Sequence, residues 1–144
     1  MNIFGVRVDE VDLNQAIERI HLGRVQGHSR GVHMPFFVVT PNPEQIVQAQ
    51  EDEEFKKILN SADLAIPDGI GLRLAGVKTR VAGIDLMEAL IRKAKRVMLV
   101  GGKGKTADKA AETLKRSILL RYEILGVEGI RDVSNPDKNE EERL

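Results

Sequence analysis

Along this chain, dense runs of apolar residues alternate with segments in which apolar residues recur at helical spacing. Dense apolar runs predict short strands, of which the first is expected to be buried, and they occupy residues 36–39, 62–66, 96–100 and 122–127. Between these runs, apolar residues recur at the three- and four-residue spacing of helices that bury one face. Strands that alternate with helices in this way predict an α/β protein with a mainly parallel sheet flanked by helices.

Two smaller elements precede the first of these strands. Residues 2–11 mix apolar and polar side chains in a pattern that predicts a short strand or hairpin. Asp12 is a good N-cap and Gly23 stands where a C-terminal glycine stop is expected, so the spacing predicts a helix over residues 12–22. The whole pattern predicts a Rossmann-like fold with a small N-terminal strand or hairpin.

A polar stretch at residues 24–34 follows that helix and predicts a mobile loop. It contains His28 and His33, which are candidate metal ligands. Because no carboxylate and no further histidine lies close by in sequence, a structural or solvent-facing role is the preferred interpretation, and no metal site is predicted.

Polar residues follow two of the predicted strands at the point where each strand ends. Thr40 and Asn42 follow the first strand, and Asp68 follows the second, between a proline and a glycine. The carboxyl ends of parallel neighbours lie at one edge of a sheet, where α/β proteins bind ligands, so all three are candidate ligand contacts. The alternative is that Asn42 only caps the next helix, with Gln45 completing a capping box, and that Thr40 only ends the strand.

Arg80 stands in a basic loop just before a predicted helix. Apolar residues of that helix are expected to face the core at positions 84, 87, 90, 91 and 94. The guanidinium of Arg80 is a candidate for bidentate phosphate binding. An ordinary surface ion pair with Asp85 or Glu88 is the alternative.

A glycine-rich turn follows the strand at residues 96–100. It contains Gly101, Gly102 and Lys103, and a helix follows it. A strand, a glycine turn and a helix in this order are typical of pyrophosphate binding, although the spacing is not that of a Walker loop. A tight strand-to-helix turn with no ligand is the alternative.

Composition narrows the function classes. The 144 residues, 42% of them hydrophobic, suit one domain over residues 1–144. Twenty-two basic and 22 acidic residues balance, and aromatic residues make up only 3%, so a nucleic-acid reader is not expected. There is no cysteine and no apolar run long enough to span a membrane, which favours a protein kept in the cytoplasm.

Four blocks of the chain together resemble one enzyme family. They are Val39–Gln45, Ser61–Leu64 with Ile66–Gly71, Arg80–Met87 and Val100–Lys103. In this order they are similar to the signature blocks of the WecG/TagA/CpsF glycosyltransferases, and the resemblance covers residues 1 to about 130. Four blocks in the right order are far more specific than any single one.

The resemblance implies an inverting, metal-independent transfer of N-acetylmannosamine from UDP-N-acetylmannosamine. The acceptor is the 4-hydroxyl of N-acetylglucosamine on undecaprenyl diphosphate, as in the synthesis of wall teichoic acid and related polymers. Asp68 matches the family's proposed general base, Thr40 and Asn42 match pocket-lining residues, and Arg80 matches the arginine thought to hold the donor phosphate. No cofactor is implied beyond the UDP-sugar substrate.

The chain departs from the family pattern in three places. The segment between Gly71 and Arg80 and the loop before Phe36 are several residues shorter, and a strand and a basic C-terminal appendage expected after the matched region are missing. The resemblance therefore implies a truncated protein, or a sequence from which segments have been left out, that contacts the inner face of the cell membrane only through the missing segment. A homo-oligomer is left open.

Two other functions remain as alternatives. One is a dinucleotide-binding oxidoreductase module built on the Gly101–Gly102 turn, although no acidic residue follows that turn at the usual spacing. The other is a non-catalytic interaction domain in which Asp68 is an ordinary turn residue.

Overall fold

The computed structural model of the protein describes residues 1–29, 35–117 and 123–128, without the side chains of residues 26–29 and 117. His33 and the side chain of His28 lie outside this part, as does Tyr122 at the start of the last predicted strand. The chain divides into two compact units, residues 1–89 and residues 90–144. A single domain over residues 1–144 stays a prediction.

The elements confirm an α/β protein. The first unit holds β1 (Asn2–Ile3), β2 (Val6–Arg7), α1 (Leu13–Ser29), β3 (Val38–Val39), α2 (Pro43–Glu51), α3 (Glu53–Ser61), β4 (Leu64–Ala65) and a 3-10 helix (Ile70–Ala75). Then follow α4 (Gly83–Ile91), which crosses the boundary between the units, β5 (Arg96–Val100), α5 (Thr106–Ser117) and β6 (Glu123–Val127). None of the helices in the described ranges is long and apolar enough to cross a membrane.

The N-terminal hairpin is antiparallel, with Ile3 opposite Val6. Its two central residues, Phe4 and Gly5, have φ angles of 49° and 84°. Positive φ at both positions is the requirement of the hairpin turn that matches the right-handed twist of the strands. The predicted small N-terminal hairpin is therefore confirmed.

A cluster of buried apolar side chains forms the core of the first unit. It comprises Ile3, Val6, Val8, Ile46, Ala49, Leu59, Leu72 and Val77. Val39 of β3 and Phe55 of α3 pack against this cluster. The hairpin, α2, α3 and the 3-10 helix thus share one core, and β3 ends beside it.

β3 and β4 are parallel neighbours, as the alternation of strands and helices predicts. Val39 is opposite Ala65, and the ladder continues beyond the strands because the Ile66 amide donates to the Val39 carbonyl at 2.8 Å. The carboxyl ends of β3 and β4 therefore lie at one edge, which carries both Thr40 and Asp68.

Two helix starts follow the predicted cap chemistry. The Asn42 side chain accepts from the Gln45 amide at 2.8 Å, and the Gln45 side chain accepts from the Asn42 amide at 3.2 Å, which completes the capping box of α2. Asp12 and Gln15 make the same reciprocal pair before α1, at 2.9 and 3.0 Å. Each pair satisfies amides that the helix itself leaves without partners.

The predicted end of α1 at Gly23 is wrong. The helix continues to Ser29, through half of the predicted loop. A Cβ on Gly23 would lie 2.2 Å from the Cε2 atom of Phe36, so this glycine makes room for an aromatic ring rather than ending the helix. The strand predicted from residue 36 accordingly begins only at Val38, and Phe37 is 41% exposed.

The predicted buried face of α4 is also partly wrong. Ile91 is buried as expected, but Ile84 and Met87 are 62% and 40% exposed, and Leu86 is buried instead. The first residue of α4, Gly83, lies against Asp68 and Thr40. That contact sets the rotation of the helix, and Leu86, three residues later, lies on the same side.

The second unit is built on a parallel pair. β5 and β6 are in register from Arg96 opposite Glu123 to Val100 opposite Val127. α5 packs on β6 at Gly126, where a Cβ would lie 2.5 Å from the Ala107 carbonyl carbon and 2.5 Å from the Asp108 nitrogen. Only a residue without a side chain allows this approach of helix to strand.

Replacing Gly126 by Ala is therefore expected to lower the free energy of unfolding of the second unit by about 1–3 kcal/mol, the usual cost of overpacking. Backbone atoms, unlike a side chain, cannot rotate away from the added methyl group. Urea unfolding followed by circular dichroism measures the effect. Glu112→Ala, at an exposed position of α5, is the control, and an unchanged midpoint for Gly126→Ala would contradict the close approach.

Candidate functional site

Asp68 lies three residues after the end of β4 and is held at two points. Its amide donates to the Pro41 carbonyl at 3.1 Å, and its Oδ2 atom accepts from the Gly83 amide at 3.1 Å. Among the residues that the structure describes, the other carboxylate oxygen, Oδ1, accepts no hydrogen bond. The side chain is half-buried. One oxygen thus fixes the carboxylate, and the other is available to receive a proton.

Thr40 and Asp68 converge on the start of α4. A Cβ on Gly83 would lie 3.2 Å from Asp68 Oδ2 and 3.4 Å from Thr40 Oγ1. Three elements meet at this point, since Thr40 follows β3, Asp68 follows β4 and Gly83 begins α4. The structure therefore brings together these two predicted site residues.

Asn42 lies close to the same turn, but its oxygen is already used. That oxygen accepts from the Gln45 amide, so the capping role left open from the sequence is confirmed. A Cβ on Gly69, which has a φ of 97°, would lie 3.8 Å from Asn42 Cβ and 3.1 Å from Pro43 Cδ. The start of α2 therefore packs against the turn that follows Asp68, and the side-chain nitrogen of Asn42, Nδ2, forms no hydrogen bond with the described residues.

Arg80 is exposed on a segment tied to the Asp68 turn. The next residue, Val81, is buried, and its amide donates to the Pro67 carbonyl at 3.2 Å. Within the described ranges Arg80 forms no ion pair, so the alternative of a surface pair with Asp85 or Glu88 is not observed. The backbone beside Arg80 is thus anchored, and its guanidinium has no ion-pair partner among the described residues.

The glycine turn belongs to the second unit. Gly101, Gly102 and Gly104 have φ angles of 117°, 77° and 61°, in the region that favours glycine. The Gly101 amide donates to the Val127 carbonyl at 3.1 Å, and the Thr106 hydroxyl donates to the Lys103 carbonyl at 2.7 Å. The turn is tightly built, as both interpretations require, and substrate binding by Gly101, Gly102 and Lys103 stays a prediction.

Sequence reasoning missed Gly83 as a site residue. Its amide binds Asp68, and its lack of a side chain admits both Asp68 and Thr40. The available signal is a glycine at the first position of an apolar helix, preceded by Ala82 where a capping Ser, Thr, Asp or Asn is usual. In the described part of the chain, no group of three or more His, Cys, Asp or Glu residues is arranged to hold a metal ion.

Comparison with known proteins shows that the amino-acid sequence is similar to one family. The sequence profile of the glycosyl transferase WecG/TagA/CpsF family matches residues 1–143. A protein of Bacillus spizizenii strain W23 is 37% identical over 90 residues, which cover 56% of this chain and 35% of that protein. A protein of Bacillus subtilis strain 168 is 34% identical over 76 residues, 46% of this chain and 30% of that protein.

Both Bacillus proteins carry the name N-acetylglucosaminyldiphosphoundecaprenol N-acetyl-beta-D-mannosaminyltransferase. The chain matches about a third of their length.

Proposed function

The chain belongs to the WecG/TagA/CpsF family of glycosyltransferases, and from this premise we propose that it transfers N-acetylmannosamine from UDP-N-acetylmannosamine to a lipid-linked acceptor. The acceptor is N-acetylglucosamine on undecaprenyl diphosphate, and the product serves wall teichoic acid or a related cell-surface polymer. The names of the two Bacillus relatives support this choice of sugar and lipid.

The observation that carries the proposal is the carboxylate of Asp68. One oxygen is held by the Gly83 amide, and the other faces no hydrogen-bond donor of the described residues. A general base needs this combination of fixed geometry and a free oxygen. Asp68 also stands at the carboxyl edge of parallel strands, where substrates of α/β proteins bind.

In the proposed reaction, Asp68 Oδ1 takes the proton of the acceptor 4-hydroxyl. The acceptor oxygen attacks the anomeric carbon of N-acetylmannosamine on the face opposite UDP. The new glycosidic bond forms as the bond from the anomeric carbon to the β-phosphate oxygen breaks, and UDP leaves with the electron pair. A single displacement of this kind inverts the anomeric configuration and needs only one carboxylate.

The diphosphate that leaves carries negative charge that the protein must stabilise. Arg80 is the first candidate, because its guanidinium is exposed, uncommitted among the described residues and anchored beside the Asp68 turn. For the second unit, substrate binding by Gly101, Gly102 and Lys103 is a separate proposal. Thr40 and the side-chain nitrogen of Asn42, Nδ2, are proposed to contact the sugar. Because Arg80 supplies positive charge at the proposed phosphate position, we propose that the reaction needs no metal ion.

Titration calorimetry with UDP tests the proposed donor. Micromolar to millimolar binding is expected for a nucleotide substrate, with the same affinity in EDTA and in excess Mg²⁺ or Mn²⁺. Loss of UDP binding in EDTA would contradict the metal-independent mechanism. Binding of NAD(H) in place of UDP would favour the dinucleotide-binding oxidoreductase instead.

The place of action follows from the substrates. The acceptor named for the Bacillus relatives is a lipid diphosphate, and a UDP-sugar is a cytoplasmic metabolite, which supports a peripheral protein at the inner face of the cell membrane. Self-association into a homo-oligomer stays a prediction.

A further inference from the structure

The side chain of Asp9 pairs with the edge of β4 that faces away from β3. The Asp9 amide donates to the Ala65 carbonyl at 2.7 Å, and Asp9 Oδ2 accepts from the Ala65 amide at 2.9 Å. Ala65 is fully buried, so its amide has no access to water and needs this partner. Asp9 thereby holds β4 three residues before Asp68.

The next residue, Glu10, holds the segment that carries Arg80. The Asp68 turn and this Arg80 segment are called here the two walls of the proposed site. Glu10 Oε1 accepts from the Lys78 amide at 3.1 Å, and Lys78 lies two residues before Arg80. The same segment is tied at its far end, because the Val81 amide donates to the Pro67 carbonyl. Glu10 thus fixes the entry of the Arg80 segment, and the Asp68 turn fixes its exit.

The two acids themselves stand on a rigid base. Their flanking residues, Val8 and Val11, are fully buried. The guanidinium of Arg7 lies 3.4 Å from Asp9 Oδ2 and donates to the Ala62 carbonyl at 2.5 Å, which orients the Asp9 carboxylate. The backbone at both acids is therefore held by buried neighbours, and the Asp9 side chain is held by Arg7 as well.

We propose that Asp9 and Glu10 form an acidic clamp, a pair of positioning residues that sets the distance between the general base and the phosphate-binding arginine. The inference rests on the proposed function, and neither acid touches a substrate. Asp9 acts on Asp68 through β4, and Glu10 acts on Arg80 through Lys78. Each acid controls one wall. Loss of Asp9 should therefore affect catalysis, and loss of Glu10 should affect donor binding.

Steady-state kinetics of UDP release from UDP-N-acetylmannosamine, with a lipid-linked N-acetylglucosamine acceptor, tests this separation. Asp9→Ala is expected to lower kcat about tenfold with little change in the donor KM, because small displacements of a catalytic group are costly. Glu10→Ala is expected to raise the donor KM several-fold with little change in kcat. Asp9→Asn and Glu10→Gln, which keep an acceptor oxygen, are expected to restore most of each loss.

Asp12→Ala is the matched control. Asp12 is an acid of the same segment whose side chain caps α1 and contacts neither wall, so its loss destabilises the chain without the kinetic split. If Asp9→Ala and Glu10→Ala change kcat and KM in the same way as Asp12→Ala, or if the conservative variants restore nothing, the clamp is overturned.

Amide hydrogen exchange by NMR gives a readout that does not depend on turnover. Exchange at Ala65 is expected to accelerate at least tenfold in Asp9→Ala, and exchange at Lys78 in Glu10→Ala, each without the other. Unchanged rates at these two amides, or a uniform increase along the chain, would overturn the clamp. Failure of the unsubstituted chain to bind UDP would instead count against the proposed function, while the exchange rates still decide whether the clamp exists.

Discussion

Replacing Asp68 by Asn is expected to reduce sugar transfer by about 100- to 10,000-fold, the usual contribution of a general base. Asn has the same size, and its side-chain oxygen still accepts from the Gly83 amide, which Asp68 Oδ2 does at 3.1 Å. The amide cannot take a proton from the acceptor hydroxyl, so only the chemical step suffers. UDP affinity measured by calorimetry is expected to stay within about twofold, since Asp68 is not proposed to hold the nucleotide.

Asp85→Asn provides the matched control for Asp68→Asn. Asp85 is an exposed carboxylate in the first turn of α4, two residues after the glycine that binds Asp68. The same chemical change there is expected to leave turnover and UDP affinity as they are. Unchanged turnover in Asp68→Asn would remove this residue as the base, and a parallel loss of UDP affinity would assign it to nucleotide binding.

Replacing Arg80 by Gln is expected to weaken UDP binding roughly 100-fold, since two charge-assisted hydrogen bonds of about 1.5 kcal/mol each would be lost. No ion pair in the described part of the chain competes for the guanidinium. Arg80→Lys keeps the charge without the planar fork, so about a tenfold loss is expected. Calorimetry with UDP measures both variants.

Arg73→Gln controls for the general effect of charge. Arg73 is an exposed arginine in the last turn of the 3-10 helix, and its loss is expected to change UDP affinity less than about twofold. Added salt is expected to weaken UDP binding by the unsubstituted chain more than by Arg80→Gln, because the latter has lost the proposed phosphate contact. Equal losses in Arg73→Gln and Arg80→Gln would exclude a specific role for Arg80.

The parallel pairing of β3 and β4 could be predicted from local sequence patterns. Each strand was predicted from a dense apolar run, and the right-handed crossover rule made the two neighbours in parallel. The rule was sufficient here because α2 and α3 occupy the connection and leave few other topologies. Thr40 and Asp68 follow the ends of these strands, and the parallel pairing therefore puts both residues at the same edge of the sheet.

The prediction failed where distant residues decide a local conformation. Gly23 has the local signature of a helix stop, but the ring of Phe36, thirteen positions away, occupies the space beside it and the helix continues. The face of α4 was misplaced because its rotation depends on contacts of Gly83 with Asp68 and Thr40. Neither contact leaves a periodic signal in the residues around it.

The sequence by itself determined the helix starts at Asp12 and Asn42, the parallel pairing of β3 with β4 and the placement of Thr40 and Asp68 at strand ends. These features depend on hydrogen bonds and apolar spacing within a few residues, which a linear pattern records. Only the tertiary structure decided that Gly83 holds Asp68, and that Asp9 and Glu10 bind Ala65 and Lys78. Those hydrogen bonds join residues 15, 56 and 68 positions apart, so their partners are set by packing and not by neighbours in the chain.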